Sequence, residues 1–168
     1  SINNTMVADL TPLKKLQNLA KIYCDNTGIK QEAANVFMAD NPKVLVIFDS
    51  DDLKVWWDAL ALDWQTIFTK ATTLGAIPTK EELAKIPSLD SINIGNNKNI
   101  DNLEPLGRLR KLKTLVANKT SVSDLSPLRE LTDIIFLDIS DTNVRDLSVL
   151  SSLIHLTTLK ADACKVEH

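Results

Sequence analysis

Apolar residues recur at a fixed spacing in the second half of the chain. Three segments that begin at Leu103, Leu125 and Leu147 lie 22 residues apart and align without a gap. Seven columns of this alignment are apolar in all three copies, the last of them formed by Val122, Val144 and Val166. A regular repeat of this length predicts similar units that stack and share one continuous core.

Two further segments carry the same pattern. Residues 7–29 match a complete unit, and Cys24 stands there in the column of Ala117 and Ile139. A partial copy begins near residue 88 and retains Leu89, Ile92, Ile94 and Ile100, with one extra residue before its last member. The pattern therefore predicts one isolated unit near the N-terminus and a regular array over residues 88–168.

Each unit combines two local spacings. An LxxLxL stretch favours a short strand whose alternate side chains point inward, and the LxxLxxL stretch before it has the spacing of a short helix or 3-10 turn. A proline starts this turn after Thr11, Glu104 and Ser126, and we expect the Ser126 hydroxyl to cap it. The predicted fold is α/β, a solenoid with short parallel strands on one face and helices or 3-10 turns on the other.

These units resemble the 22-residue leucine-rich repeats of bacterial surface proteins such as the internalins, over residues 88–168 and 7–29. The resemblance implies a leucine-rich-repeat solenoid. In that family an Asn side chain bridges loop backbone groups between coils, and the corresponding residues here are Thr27, Asn97, Thr120, Thr142 and Cys164. Threonine hydroxyls can still bond the loop backbone, whereas a thiol does so weakly, so we expect the last coil to be held less tightly.

The period lapses between Ile29 and Ile86. The segment EAANVFMADNP predicts a helix that ends before Pro42, and residues 44–48 (VLVIF) predict a fully buried strand. Together they predict one irregular, longer coil that closes the first repeat.

After residue 48 the apolar residues recur at helical spacing. This spacing predicts two helices broken around Leu62-Asp63, with a buried stripe of Trp57, Leu60, Trp64, Ile67, Phe68 and Ala71. Thr79 and Glu82 have capping-box spacing, with Leu83 and Ile86 directed toward the array. We therefore predict a repeat with a closing coil at 1–61, a helical connector or cap at 62–87, and the array at 88–168.

The order of these segments resembles leucine-rich-repeat proteins of gut Bacteroidetes: a repeat, then NPKVLVIFDSDDLKVWW and DWQTIF, then more repeats. That resemblance implies an exported protein, either secreted or on the cell surface. The N-terminal residues lack the basic patch and apolar run of a signal peptide, and no window is apolar enough to span a membrane. The exported location therefore follows from the resemblance alone.

The charge of the chain argues against nucleic-acid binding. Nineteen Lys and Arg residues are scattered among 22 Asp and Glu residues, giving a formal net charge of -3 and no basic stripe. Cys24 and Cys164 lie far apart without metal-ligand spacing, and Cys24 is expected to be a buried free thiol.

No catalytic motif is found. The two histidines, His155 and His168, are expected at the surface and the terminus, and nucleophile elbows, zinc-binding helices and phosphate loops are absent from the sequence. Asp49, Asp51 and Asp52 could hold calcium, but a Ser-Asp-Asp run before a helix is more typical of helix capping. We predict a protein that is not an enzyme and carries no metal or cofactor.

The outward-facing strand positions form the predicted partner-binding strip, because these positions line up from coil to coil. Phe136 and Val116 are expected side by side on neighbouring strands as an apolar anchor. The strip consists of Ser91, Asn93, Thr114, Val116, Asn118, Phe136, Asp138, Ser140, Thr158, Lys160 and Asp162. The favoured hypothesis is a protein partner that binds this strip.

Three alternatives stay open at the level of sequence. Cross-strand pairs can cover a sheet without binding anything. Trp56, beside the buried Trp57, is a candidate stacking surface for a glycan. The third alternative is a structural spacer without a ligand.

Overall fold

The computed structural model describes residues 1–165, so the predictions for Val166 and His168 lie outside the described residues. It contains four α-helices: α1 (Gln31–Asp40), α2 (Ser50–Ala59), α3 (Leu62–Thr72) and α4 (Lys80–Leu83). The strands are β1 (Lys21–Tyr23), β2 (Leu45–Ile47), β3 (Ser91–Asn93), β4 (Thr114–Val116), β5 (Phe136–Asp138) and β6 (Thr158–Lys160). The 3-10 turns are Thr11–Lys15, Ile86–Ser88, Glu104–Arg108, Ser126–Leu128 and Ser148–Ser152.

The chain forms two compact units. The first unit comprises Ser1–Ala59 and Leu74–Lys85, and the second comprises Leu60–Thr73 and Ile86–His168. The segment 62–87 is predicted from the sequence to be one connector. In the structure it is divided between the units, with α3 in the second unit and α4 in the first.

The second unit has the predicted solenoid architecture. Strands β3, β4, β5 and β6 form a parallel sheet in chain order, while 3-10 turns occupy the other side of each coil. Leu115 pairs with Leu137 and Leu137 with Leu159, so residues 22 apart lie side by side. The side chains of Leu106, Leu109, Leu112, Leu115, Leu128 and Leu131 are fully buried. The prediction of short parallel strands facing 3-10 turns is confirmed.

In the first unit, β1 and β2 form a parallel pair in which Ile22 lies opposite Val46. Helix α1 occupies the position of the 3-10 turn between them, and it contributes Ala34 and Phe37 to the core. Ile47 is also buried, although it points to the other face of β2, because α4 packs against that strand. The strand thus buries residues on both faces, but it is not as fully buried as its continuous apolar run predicts, because Leu45 and Phe48 are half-buried.

Side-chain oxygens of Asp or Asn, not hydroxyls, accept the first backbone N–H in four of the 3-10 turns. Asp124 accepts hydrogen bonds from the backbone N–H of Ser126 (2.8 Å) and from its hydroxyl (2.6 Å), so the predicted role of the Ser126 hydroxyl as the capping acceptor is wrong. Asp9, Asn102 and Asp146 accept equivalent backbone bonds in the other coils. A carboxylate reaches the N–H two residues ahead, and this Asx turn leaves the Ser126 hydroxyl free to donate.

The threonine column bonds within its own coil. The hydroxyls of Thr27, Thr120 and Thr142 donate to the carbonyl oxygen three residues earlier, at 2.7, 2.8 and 2.6 Å. The Cys164 thiol instead contacts Ile139 O of the preceding coil, at 3.0 Å. Neighbouring coils are joined here by backbone bonds, such as Lys119 N–H to Ser140 O at 2.8 Å.

The predicted helices form with the expected break, since α2 ends at Ala59 and α3 begins at Leu62. Their buried stripe is narrower than predicted: Trp57, Trp64 and Phe68 are buried, but Ala71 is exposed. The remaining predicted members, Leu60 and Ile67, are half-buried. The capping box is confirmed, because the Thr79 side chain accepts from Glu82 N–H while the Glu82 carboxylate accepts from Thr79 N–H.

Candidate functional site

The eleven residues of the predicted strip line the outward positions of β3–β6 and the residues that follow those strands. Ser91, Asn93, Thr158, Lys160 and Asp162 are exposed, whereas Thr114, Val116, Asn118, Phe136 and Ser140 are half-buried. The parallel register brings the eight members that lie on the strands into two rows across the sheet, and Asn118, Ser140 and Asp162 follow the strand ends. One row is Ser91, Thr114, Phe136 and Thr158, and the other is Asn93, Val116, Asp138 and Lys160.

This register corrects the predicted anchor patch. Phe136 lies opposite Thr114 and Thr158, while Val116 lies opposite Asn93 and Asp138. Phe136 and Val116 therefore occupy different rows and are related diagonally, not side by side. The apolar centre of the strip is split by polar neighbours.

Phe136 has a cationic neighbour. The Lys160 ammonium lies 5.6 Å from the centroid of the Phe136 ring, which is within the range of a cation–π interaction. Phe136 and Lys160 belong to the adjacent strands β5 and β6, so the sheet itself holds the pair together. The pair gives the strip an aromatic surface bordered by positive charge.

Asp138 is more buried than an outward position suggests, with 9% of its surface exposed. Its carboxylate accepts the Ser140 N–H at 3.0 Å, and the Ser140 hydroxyl accepts the Asp162 N–H at 3.3 Å. The bond to Ser140 orders the end of this strand, and contact of Asp138 with a partner stays a prediction.

Asn93 makes the same turn in the first coil of the array, where its Oδ1 accepts the Gly95 N–H at 2.9 Å. Gly95 itself leaves room for its neighbour, because a β-carbon at that position would lie 2.2 Å from Asn118 Oδ1. The Asn118 side chain therefore lies over Gly95 at this end of the strip.

A cleft of about 600 Å³ adjoins this end of the strip and is formed by α3 and β3, both in the second unit. We call it the α3–β3 cleft. One wall is one face of α3, with Asp63, Thr66, Ile67, Lys70 and Ala71, and the other is residues 91–97. The strip members Ser91 and Asn93 belong to this second wall. The cleft therefore extends the strip onto α3.

The helix wall was missed by the sequence analysis, which treated α3 only as a cap. Its members are separated by three, four, seven and eight residues from Asp63, the spacing that places side chains on one helix face. That spacing was available in the sequence. Asp63 fixes the wall, because its carboxylate accepts from the Asn97 side-chain amide at 2.8 Å and from that of Asn99 at 3.3 Å.

The corresponding sheet face of the first unit is occupied by its own chain. Tyr23, which is outward on β1, donates its hydroxyl to Glu81 at 2.7 Å, and α4 packs against β2. The hydrogen bond raises the pKa of Tyr23 and lowers the pKa of Glu81. Lys21 is the one exposed residue among the outward positions of β1 and β2, whereas the β3–β6 face retains exposed residues in both of its rows.

The alternative glycan residue, Trp56, is half-buried on α2. Acidic residues at the start of the same helix have structural bonds: Asp51 pairs with Lys80 at 3.0 Å, and Ser50 donates both its N–H and its hydroxyl to the Asp25 carboxylate at 2.8 Å. Asp25 of the preceding coil thus caps α2, a role the sequence assigned to the Ser-Asp-Asp run. Glycan binding at Trp56 stays a prediction.

The remaining candidate residues from the sequence are the cysteine thiols, the histidines and possible metal ligands. Cys24 is a buried free thiol, as predicted, and burial raises its pKa to about 11. His155 is exposed. Among residues 1–165 there is no group of three His, Cys, Asp or Glu side chains arranged to hold a metal ion. The same residues include no helix long and apolar enough to cross a membrane.

Comparison with known proteins places the fold. No family model and no curated protein matches the sequence. The chain is similar in structure to internalin C2 from Listeria monocytogenes, with a TM-score of 0.50 and 20% identity over 99% of this chain and 62% of that one. The chain has the leucine-rich-repeat fold. A second structure is the functional domain of InlJ from the same organism, which includes a cysteine ladder. It matches with a TM-score of 0.27 and 14% identity over 99% of this chain and 54% of that one.

This chain thus spans less than two thirds of the length of either internalin structure. The likeness to internalin C2 confirms the predicted leucine-rich-repeat fold. The resemblance to Bacteroidetes proteins stays a prediction.

Proposed function

We propose that the chain is a non-enzymatic protein-binding module whose partner binds the outward face of β3–β6, around Phe136. The observation that carries this proposal is the contrast between the two sheets. In the first unit α4 packs against β2 and its Glu81 accepts the hydroxyl of the outward Tyr23, whereas in the second unit the same face presents a half-buried aromatic ring beneath an exposed lysine.

The composition of this face suits a protein partner. Phenylalanine supplies apolar area, Lys160 supplies a charge held in place, and Thr114, Thr158, Asn93 and Ser91 form a polar rim. Buried aromatic anchors surrounded by polar side chains dominate the affinity of protein interfaces. The leucine-rich-repeat fold further supports an interaction role, and the resemblance of the repeats to those of internalins favours an exported bacterial protein.

The test is a binding screen against purified extracellular proteins, followed by affinity measurements on variants of the full chain. Phe136→Ala is expected to weaken binding of a true partner by about tenfold or more, and Val116→Ala by less, because only Phe136 combines a ring with the Lys160 contact. Surface plasmon resonance measures both changes.

Arg129→Ala provides the matched control, since Arg129 is exposed on the 3-10 side of the same coil as Phe136. This variant should bind within about twofold of the parent chain. Equal binding by the Phe136→Ala variant would contradict the proposed site. A glycan ligand whose binding requires Trp56 and not Phe136 would replace the proposal with the alternative function.

A further inference from the structure

The α3–β3 cleft contains a lysine that forms no ion pair within the described residues. Lys70 is exposed on the α3 wall and takes part in no ion pair among residues 1–165. The other charged side chain of that wall, Asp63, already accepts hydrogen bonds from the amides of Asn97 and Asn99. The Asp63 oxygens are thus engaged by the β3 wall, and the Lys70 ammonium lines the cleft without an ion-pair partner among these residues.

The β3 wall adds further donors. Since Asn93 Oδ1 accepts the Gly95 N–H, the amino group of the same side chain remains available to donate. The Ser91 hydroxyl has no hydrogen-bond partner in the described part of the chain. The hydroxyl of Thr66, by contrast, donates to Leu62 O at 2.8 Å.

A cleft with an ammonium, an amide NH2 and a hydroxyl calls for a negatively charged acceptor with more than one oxygen. A carboxylate meets this requirement, because its two oxygens accept several hydrogen bonds at once and charge-assisted bonds are the stronger ones. Ser91 and Asn93 also belong to the partner-binding strip, so a polypeptide lying on the strip reaches the cleft without a break.

We infer that the α3–β3 cleft is a subsite for an acidic side chain, Asp or Glu, of the partner protein, with Lys70 as the principal contact. This inference rests on the proposed protein-binding function and specifies the chemistry of one end of the interface. It predicts that partners carry an acidic residue next to the segment that covers Phe136.

The experiment uses small probes, so it does not depend on having found the partner. Acetyl-glutamate methylamide, acetyl-glutamine methylamide and acetyl-alanine are titrated into the isotopically labelled full chain, and the side-chain amide signals of Asn93 are followed by NMR. The glutamate probe should shift these signals saturably in the millimolar range, and the neutral glutamine probe should not. Lys70→Met should weaken the glutamate response by about tenfold.

Lys113→Met is the matched control, because Lys113 is an exposed lysine of the same unit that does not line this cleft. This variant should respond like the parent chain. Equal shifts with the glutamine probe, or an undiminished response in Lys70→Met, would overturn the inference. A response to acetyl-alanine alone would overturn it in favour of a chain terminus.

The two proposals fail separately. If Phe136→Ala abolishes partner binding but the glutamate probe causes no saturable shift, the acidic subsite is wrong and the binding face stands. If the probe binds through Lys70 but no partner depends on Phe136, the cleft chemistry stands and the location of the main interface is wrong.

Discussion

At the scale of single residues, the coils place unfavourable residues in the left-handed backbone region. Lys119, Asp141 and Ala163 have φ values of 57°, 57° and 55° at the same point of successive coils. A β-carbon costs about 1–2 kcal/mol in this conformation, although Asp and also Asn, which is found at positions 26 and 96, tolerate it better than Lys or Ala. The turn persists because the backbone N–H of Lys119 donates to Ser140 O of the next coil.

Relief of this strain gives a stability prediction. Lys119→Gly should raise the free energy of unfolding by about 0.5–1 kcal/mol, because the gain in the folded state exceeds the added entropy of the unfolded chain. Urea denaturation measures the change. The same substitution at Lys113, which is outside the left-handed region, should destabilise the protein instead. A loss of stability in both variants would contradict the strain argument.

The strip shows what residue-level prediction can and cannot reach. Alternation along the strands correctly separates outward residues such as Phe136 from inward ones such as Leu137, because side chains alternate across a sheet. The spacing of 22 residues also pairs Val116 with Asp138, so the misplaced Phe136–Val116 contact could have been avoided from the sequence. The burial of Asp138 could not have been predicted from the sequence, because it depends on a turn with Ser140 that the repeat spacing does not indicate.

At the scale of elements, the Asx turns act as a set of small pH-dependent caps. The hydroxyl of Ser126 and then its N–H lower the pKa of Asp124, and the N–H of Ser148 and then its hydroxyl lower the pKa of Asp146. A carboxyl group with a lower pKa in the folded state stabilises the fold above its unfolded pKa, and this stabilisation disappears as the pH falls through the folded pKa.

Acidification should therefore weaken these turns. The melting temperature should fall as the pH drops below about 4, where unfolded aspartates begin to bind protons. In the double variant Asp124→Asn, Asp146→Asn this fall should be smaller, because an amide oxygen still accepts the backbone N–H, as Asn102 does in the preceding coil. Thermal melts between about pH 7 and pH 3 measure the difference. Identical pH profiles for parent and variant would rule out these caps as contributors.

Elements were predictable where their spacing is regular. The strands, the break before α3 and the capping box of α4 follow from local patterns, and each forms as expected. The covering of β2 by α4 was beyond the sequence pattern, because α4 is separated from β2 along the chain by two other helices. The open and the covered sheet faces therefore look alike in sequence, and only tertiary packing distinguishes them.

At the scale of the whole molecule, a solenoid coil is stabilised mainly by its immediate neighbours. Leu115, Leu137 and Leu159 occupy one inward column of the second unit, but their surroundings differ. The first two are fully buried between coils, whereas 40% of the Leu159 surface is exposed in the last described coil. The regular spacing in the sequence predicts equal contributions of the three residues to stability, whereas their different burial predicts unequal ones.

The same deletion in this column should thus have unequal effects. Leu137→Ala and Leu115→Ala should each lower the free energy of unfolding by about 2–5 kcal/mol, since each leaves a cavity within a filled core. Leu159→Ala should cost well under half as much, because 40% of the Leu159 surface is already exposed and less apolar area is lost from the core. Urea denaturation of the three variants under one set of conditions measures the gradient. Equal losses would mean that the coils unfold without regard to position, contrary to nearest-neighbour stacking.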